Sequence, residues 1–146
     1  MATSKENFAN PGLMLFATFV GLFVTNSVII YLANSFFPGF VVLGTLAFTP
    51  VWAVFHSMLV LTLIDTFTIP FVHLYEKSRG KMFSSTEWMV AYFFVNLAGI
   101  WGVARFSEQF GLGIKSWLVA VALAIVLDFV QGVVMMQLQK LQPKLS

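Results

Sequence analysis

From Asn7 to Ile64 the chain carries no formal charge, and the first charged residue after that run is a lone Asp65. About 20 consecutive apolar residues already cross the hydrocarbon layer as a helix, so a run this long cannot be one element of a soluble core and has to cross at least twice. A weaker copy of the pattern follows and ends at Asp128. The chain therefore reads as hydrophobic hairpins, each with one acid inside it.

Composition agrees. With 59% hydrophobic and 10% charged residues, and 17 Phe among 146 positions, there is too little polar surface to enclose a soluble globule. The lipid bilayer is the expected solvent. The length suits a single membrane domain, 1–146. A formal charge of +2 is too small to suggest a nucleic-acid partner. Cys is absent, which removes disulfides, thiolate metal sites and thiol redox chemistry.

Four helices are expected, at about 13–36, 50–73, 87–105 and 116–139. Asn10, Pro11 and Gly12 open the first, and Pro38 with Gly39 closes it. Pro50 suits the first turn of the second, and Pro70 marks its exit. Ser84 and Glu87 form an S-x-x-E start for the third. Gly111, Leu112 and Gly113 interrupt the chain before Ser116 opens the fourth. The fold class that follows is all-α, an integral membrane four-helix bundle.

Lys5, Lys77, Arg79, Lys81, Lys140 and Lys144 fall on one side of such a bundle, and only Arg105 and Lys115 on the other. Positive charge is retained on the cytoplasmic side, so both termini and the middle connector are expected there, with the protein in the cytoplasmic (inner) membrane. Trp52, Trp88 and Trp117 fall near helix ends, the level that an amphipathic ring prefers. The two hairpins also read as a 2+2 tandem repeat. Asn26 and Asn96 are each followed by Ile, an aromatic residue and a Phe at matching offsets, and Trp52 and Trp117 precede Asp65 and Asp128 at similar distances.

The segments N-x5-L-A-x3-F-P-G-F-V-V-x-G, from Asn26 to Gly44, and L-I-D-T-F-T-I-P-F, from Leu63 to Phe71, resemble the small four-helix phage-holin-like superfamily IV. The resemblance covers the first half of the chain and, more faintly, the second. It implies a four-span topology and raises hole formation as a role. Asp65 and Thr66 depart from it where a second Asn or an Arg is expected near the Pro.

An ionised carboxylate at the centre of a spanning helix costs about 2.5–3.5 kcal/mol on insertion scales, so Asp65 is expected to face protein or water, or to be protonated, with Thr62 and Thr68 on its face and Thr66 beside it. Ala120, Ala124, Asp128 and Gly132 recur every four residues, a small-residue spacing that suits close helix packing, with Gln131 adjacent. Asn96 and Asp128 are expected at similar depth, within bonding reach. These polar residues, Asn26 included, read either as hydrogen-bonding glue between helices or as a proton or cation relay through Asp65 and Asp128. Glue is preferred, because no intramembrane Lys or Arg pairs with the acids and the polar lining is thin.

His56, nine positions before Asp65, points to nearly the opposite helix face, and His73 sits at a helix exit. Neither has metal-ligand spacing. No G-x-S-x-G, Walker or HExxH sequence is present, so no catalytic residue, cofactor or metal is expected. The expected function is a structural, assembly or accessory-subunit role, in a homo-oligomer or with another membrane protein. The alternative is a holin-like pore or a proton or cation pathway.

Overall fold

The computed structural model describes residues 11–46 and 48–145, with side chains from 12 to 46 and from 48 to 137. Lys5 and Asn10 lie outside the described residues, as do the side chains of Lys140 and Lys144. The elements are α1 (Pro11–Phe36), β1 (Val41–Leu43), α2 (Pro50–Arg79), α3 (Ser85–Arg105), the short α4 (Ser107–Phe110), β2 (Leu112–Ile114) and α5 (Trp117–Leu145). Four of them, α1, α2, α3 and α5, are long and apolar enough to cross a membrane.

Local chemistry sets most of the boundaries. Thr49 caps α2, its hydroxyl accepting from the Trp52 N–H at 3.4 Å, and Pro50 follows where a missing N–H costs nothing. Ser84 and Glu87 close a capping box at the start of α3, each side chain accepting from the other's backbone N–H at 3.2 Å. Gly80 ends α2 in the left-handed region, at φ 73°, its N–H donating to the Glu76 carbonyl. The second helix thus runs to Arg79 rather than stopping near His73. Pro70 removes only one intrahelical donor, and Lys77 and Arg79 in the last turn complement the helix dipole. The last helix likewise continues to Leu145, past the expected end near 139.

The long helices alternate in direction and pack as a closed ring in the order α1, α2, α3, α5: α1 against α2 and α3 against α5 within hairpins, α2 against α3 and α5 against α1 between them. The interior holds Leu22, Ile30, Met58, Leu61, Ile100, Ala120, Ala124 and Leu127, all fully buried. Outside, the surface is also apolar: Phe16, Phe71 and Phe129 are each more than 60% exposed, whereas Asn26, Asp65, Asn96 and Gln131 are at most 2% exposed. These polar groups lie inside, among buried aliphatic residues, while large hydrophobic side chains also cover the outside.

One end of the ring carries a strand pair where plain connectors are expected from the sequence. The α1–α2 and α4–α5 connections pair as a two-stranded antiparallel sheet, with Val41 opposite Ile114, Val42 opposite Gly113 and Leu43 opposite Leu112. Asn34 holds it against α1, its amide donating to the Val41 carbonyl at 2.8 Å. Gly111, at φ 85°, brings the second connection onto α2, where an added Cβ would lie 2.6 Å from Ala53 Cβ. Two hairpins are thereby joined at their tips as well as along their helices.

The other end is closed by the α2–α3 connection. Arg79 pairs with Glu87 at 2.7 Å and lies over the rings of Tyr75 and Phe83, while Glu76 accepts from the Phe83 N–H and meets His73 Nδ1 at 2.7 Å. Trp88 stacks on Tyr92 and meets Phe83 and His73 edge-on.

Candidate functional site

Each long helix places one amide or carboxyl side chain near its middle, and the four meet. Asn26 of α1 donates through Nδ2 to Asp65 Oδ2 and to Thr62 Oγ1 of α2, both at 3.1 Å. Asn96 of α3 donates to Gln131 Oε1 of α5 at 2.8 Å. Gln131 Nε2 joins the two halves, reaching Asn26 Oδ1 at 2.7 Å, Asp65 Oδ2 at 3.0 Å and Asn96 Oδ1 at 3.2 Å. A further contact comes from Tyr92, whose hydroxyl donates to the Asp65 carbonyl at 3.4 Å.

The cluster is sealed. Asn26, Thr62, Asp65 and Asn96 have no exposed surface, and Thr66 is also buried. Apolar residues of the bundle core, among them Leu61, Ile100 and Leu127, lie close along the same helices. In such surroundings a buried amide is tolerated because its partners are present; an unmade bond would cost about 1–3 kcal/mol. Among the described residues, Asp65 Oδ1 and Thr66 Oγ1 are buried without a hydrogen-bond partner.

Asp128 takes no part. It is half-buried on the flank of α5, and the bond expected from Asn96 goes instead to Gln131, one turn further along. The reason is helical phase. A spacing of four residues turns 400°, so a strict every-fourth stripe drifts about 40° per step, and the residues of α5 that face inward are Ala120, Leu123, Ala124, Leu127 and Gln131. Ala120 and Ala124 pack as expected, but Gly132 does not: a Cβ added there would meet nothing within 4 Å. Gly99 is tight instead: an added Cβ there would fall 2.5 Å from Leu61 Cδ1.

The remaining expectations distribute simply. Thr62 bonds into the cluster, while Thr68 bonds back to the Ile64 carbonyl of its own helix at 2.8 Å. His56 is exposed and lies 5.0 Å from the Phe48 ring. Among the described residues no three His, Cys, Asp or Glu side chains gather as a metal site. The centrality of Gln131 goes beyond its expected place beside the small-residue stripe. The signal for it was the recurrence of Ala120, Leu123, Ala124, Leu127 and Gln131 at spacings of three and four residues, the pattern of an inward helix stripe.

No protein-family model, curated protein or solved structure matches this chain.

Proposed function

We propose that this protein is a small polytopic protein of the cytoplasmic membrane with a structural, assembly or accessory-subunit role, built to hold four spanning helices in one fixed arrangement. The observation that carries this reading is the central cluster: one buried side chain from each long helix, Asn26, Asp65, Asn96 and Gln131, bonded into a single network. Among helices that share an apolar solvent, hydrophobicity does not decide which faces meet, and polar contacts add about 0.6 kcal/mol each with a maximum near 1.7. A network with one member per helix favours one ring order and one depth over all others.

In this reading the end bearing Lys77, Arg79 and Lys81 faces the cytoplasm, together with both termini, and the strand pair with Arg105 and Lys115 faces outward. The two hairpins are tandem repeats related by an axis along the membrane normal. Asn26 with Asp65 and Asn96 with Gln131 are then equivalent pairs, and β1 and β2 are equivalent strands. The exposed aromatic and aliphatic surface is the face that meets lipid, a second copy or another membrane protein.

The holin-like pore or relay through both acids is the competing role. It is weakened by Asp128, which lies off the cluster and has no hydrogen bond among the described residues. Purified protein in liposomes separates the two. With a structural protein, wild-type and Asp65→Asn liposomes hold a pH or ion gradient equally well. A wild-type leak that Asp65→Asn abolishes overturns the structural role in favour of a pathway.

A further inference from the structure

Asp128 is the acid that the central cluster leaves over. The candidate span of α5 runs from Trp117 to Gln137, and Asp128 falls at its middle, about 15 Å from either end at 1.5 Å per residue. It is half-buried and has no hydrogen bond or ion pair among the described residues. An acid at this depth is costly when it faces lipid, and such residues pair with other groups or line a wet cavity. The bundle itself gives Asp128 no partner.

The surface around it has the form of a contact face. Val121, Ile125, Asp128, Gly132 and Met135 follow one another at spacings of four, three, four and three residues, a seam set about 100° round the helix from the inward stripe that ends in Gln131. Ile125 is 56% exposed, and a Cβ added at Gly132 would meet nothing within 4 Å, so a second backbone can come close one turn from the acid.

Charge decides what fits there. Every Lys and Arg of this chain lies at the end of a candidate span or outside the spans, so a second copy would set another acid, and no base, against the first. Lipid amines sit at headgroup level, about 15 Å away. What complements Asp128 is a base at the same depth on another helix. We propose that this seam of α5 docks a spanning helix of another membrane protein, one that carries a Lys or Arg near its middle and pairs it with Asp128, with its backbone close to Gly132. The proposal rests on the accessory-subunit reading and names the chemistry of the partner.

Energy transfer in phosphatidylcholine liposomes tests it, between the protein carrying a donor at Ser78→Cys and a synthetic Leu-Ala spanning helix carrying an acceptor and one central Lys. The Lys helix should bind about tenfold more tightly than the same helix with Leu at its centre, the gain expected of one polar contact between spanning helices. Moving the Lys six residues along, about 9 Å in depth, should remove most of that gain. Asp128→Leu should abolish it, and Gly132→Leu should weaken binding by filling the open space. Equal binding of the Lys and Leu helices to the protein with Asp128 intact, the mark of an acid that stays protonated, overturns the proposal, and this comparison needs no substitution in the seam. So does a gain that survives Asp128→Leu, or energy transfer between two copies of the protein that Asp128→Leu abolishes, which makes a second copy the occupant. The accessory-subunit reading falls separately, to a gradient leak that Asp65→Asn abolishes. If the Lys helix gains nothing and the liposomes hold their gradient, that reading stands and this partner falls.

Discussion

Asn96 stands to Gln131 as Asn26 stands to Asp65: in each hairpin the first helix supplies an Asn whose Nδ2 donates to an oxygen of the second helix, at 2.8 Å to Gln131 Oε1 and at 3.1 Å to Asp65 Oδ2. The acid of one hairpin is therefore matched by an amide in the other. This asymmetry lets the two pairs join, because Gln131 has N–H groups to offer Asp65 and a second carboxylate would have none.

Gln131 should accordingly matter more than Asp128. Gln131→Leu strips partners from Asn26, Asp65 and Asn96 at once and is expected to cost about 1–3 kcal/mol, the penalty of leaving buried polar groups unpaired. Asp128→Leu removes a half-buried group with no hydrogen bond among the described residues and should change stability by no more than about 0.5 kcal/mol. Asp65→Asn keeps shape and most bonding and should leave the bundle folded. Reversible unfolding in mixed micelles ranks the three, and an Asp128→Leu loss equal to that of Gln131→Leu would contradict the assignment.

Three glycines should respond to alanine in a fixed order. At Gly132 the added methyl meets open space, so alanine's better helix propensity is expected to raise stability, by up to about 1 kcal/mol. At Gly99 it clashes with the tip of Leu61, which can swing aside, and a loss of about 1 kcal/mol is expected. Gly111 combines φ 85° with Ala53 Cα at 2.9 Å, backbone that cannot yield. The left-handed conformation alone costs a residue with a Cβ about 1–2 kcal/mol, and the clash adds to it. Unfolding midpoints giving any other order would show that the helices are spaced differently.

How far these features were legible in the sequence depends on their range. Helix starts at Pro50 and Ser84 were readable because a cap is made by residues within one turn of each other. The polar residues Asn26, Asp65 and Asn96 stood out because each interrupts an apolar run. Their pairing was not readable in the same way: Asp128 and Gln131 lie within one turn on α5, and which of them faces Asn96 is decided by the rotation of that helix, set by the packing of Leu123, Ala124 and Leu127. The strand pair left no periodic signal at all. Its two segments are three residues each, far apart in the chain, and each forms only against the other.

Opposite ends of the ring should lie on opposite sides of the membrane. Ser78 is exposed at the α2 exit and Gln109 is exposed beside the strand pair. The chain has no cysteine, so Ser78→Cys and Gln109→Cys each introduce a single reactive site. In intact cells a membrane-impermeant maleimide should label the second and spare the first until the membrane is opened. Labelling of both from outside, or the reverse pattern, would defeat the orientation argued from Lys77, Arg79 and Lys81.

The join between the hairpins can be tested directly through Val42 and Gly113. They are directly opposed in the strand pair, and a Cβ added at Gly113 would lie 3.9 Å from Val42 Cβ, close to the mean of about 3.8 Å for disulfides. A Val42→Cys, Gly113→Cys protein should therefore oxidise to an intramolecular crosslink, visible as a faster-migrating band that reductant removes. Cleavage engineered into the 80–84 connection makes the result unambiguous, because the two halves then stay together only while the bridge is intact. Shifting one partner by one position, to Val42→Cys with Leu112→Cys, turns that side chain to the other face of the sheet and should abolish most of the crosslinking. Equal crosslinking in both pairs would mean that the tips merely collide and do not form a registered sheet.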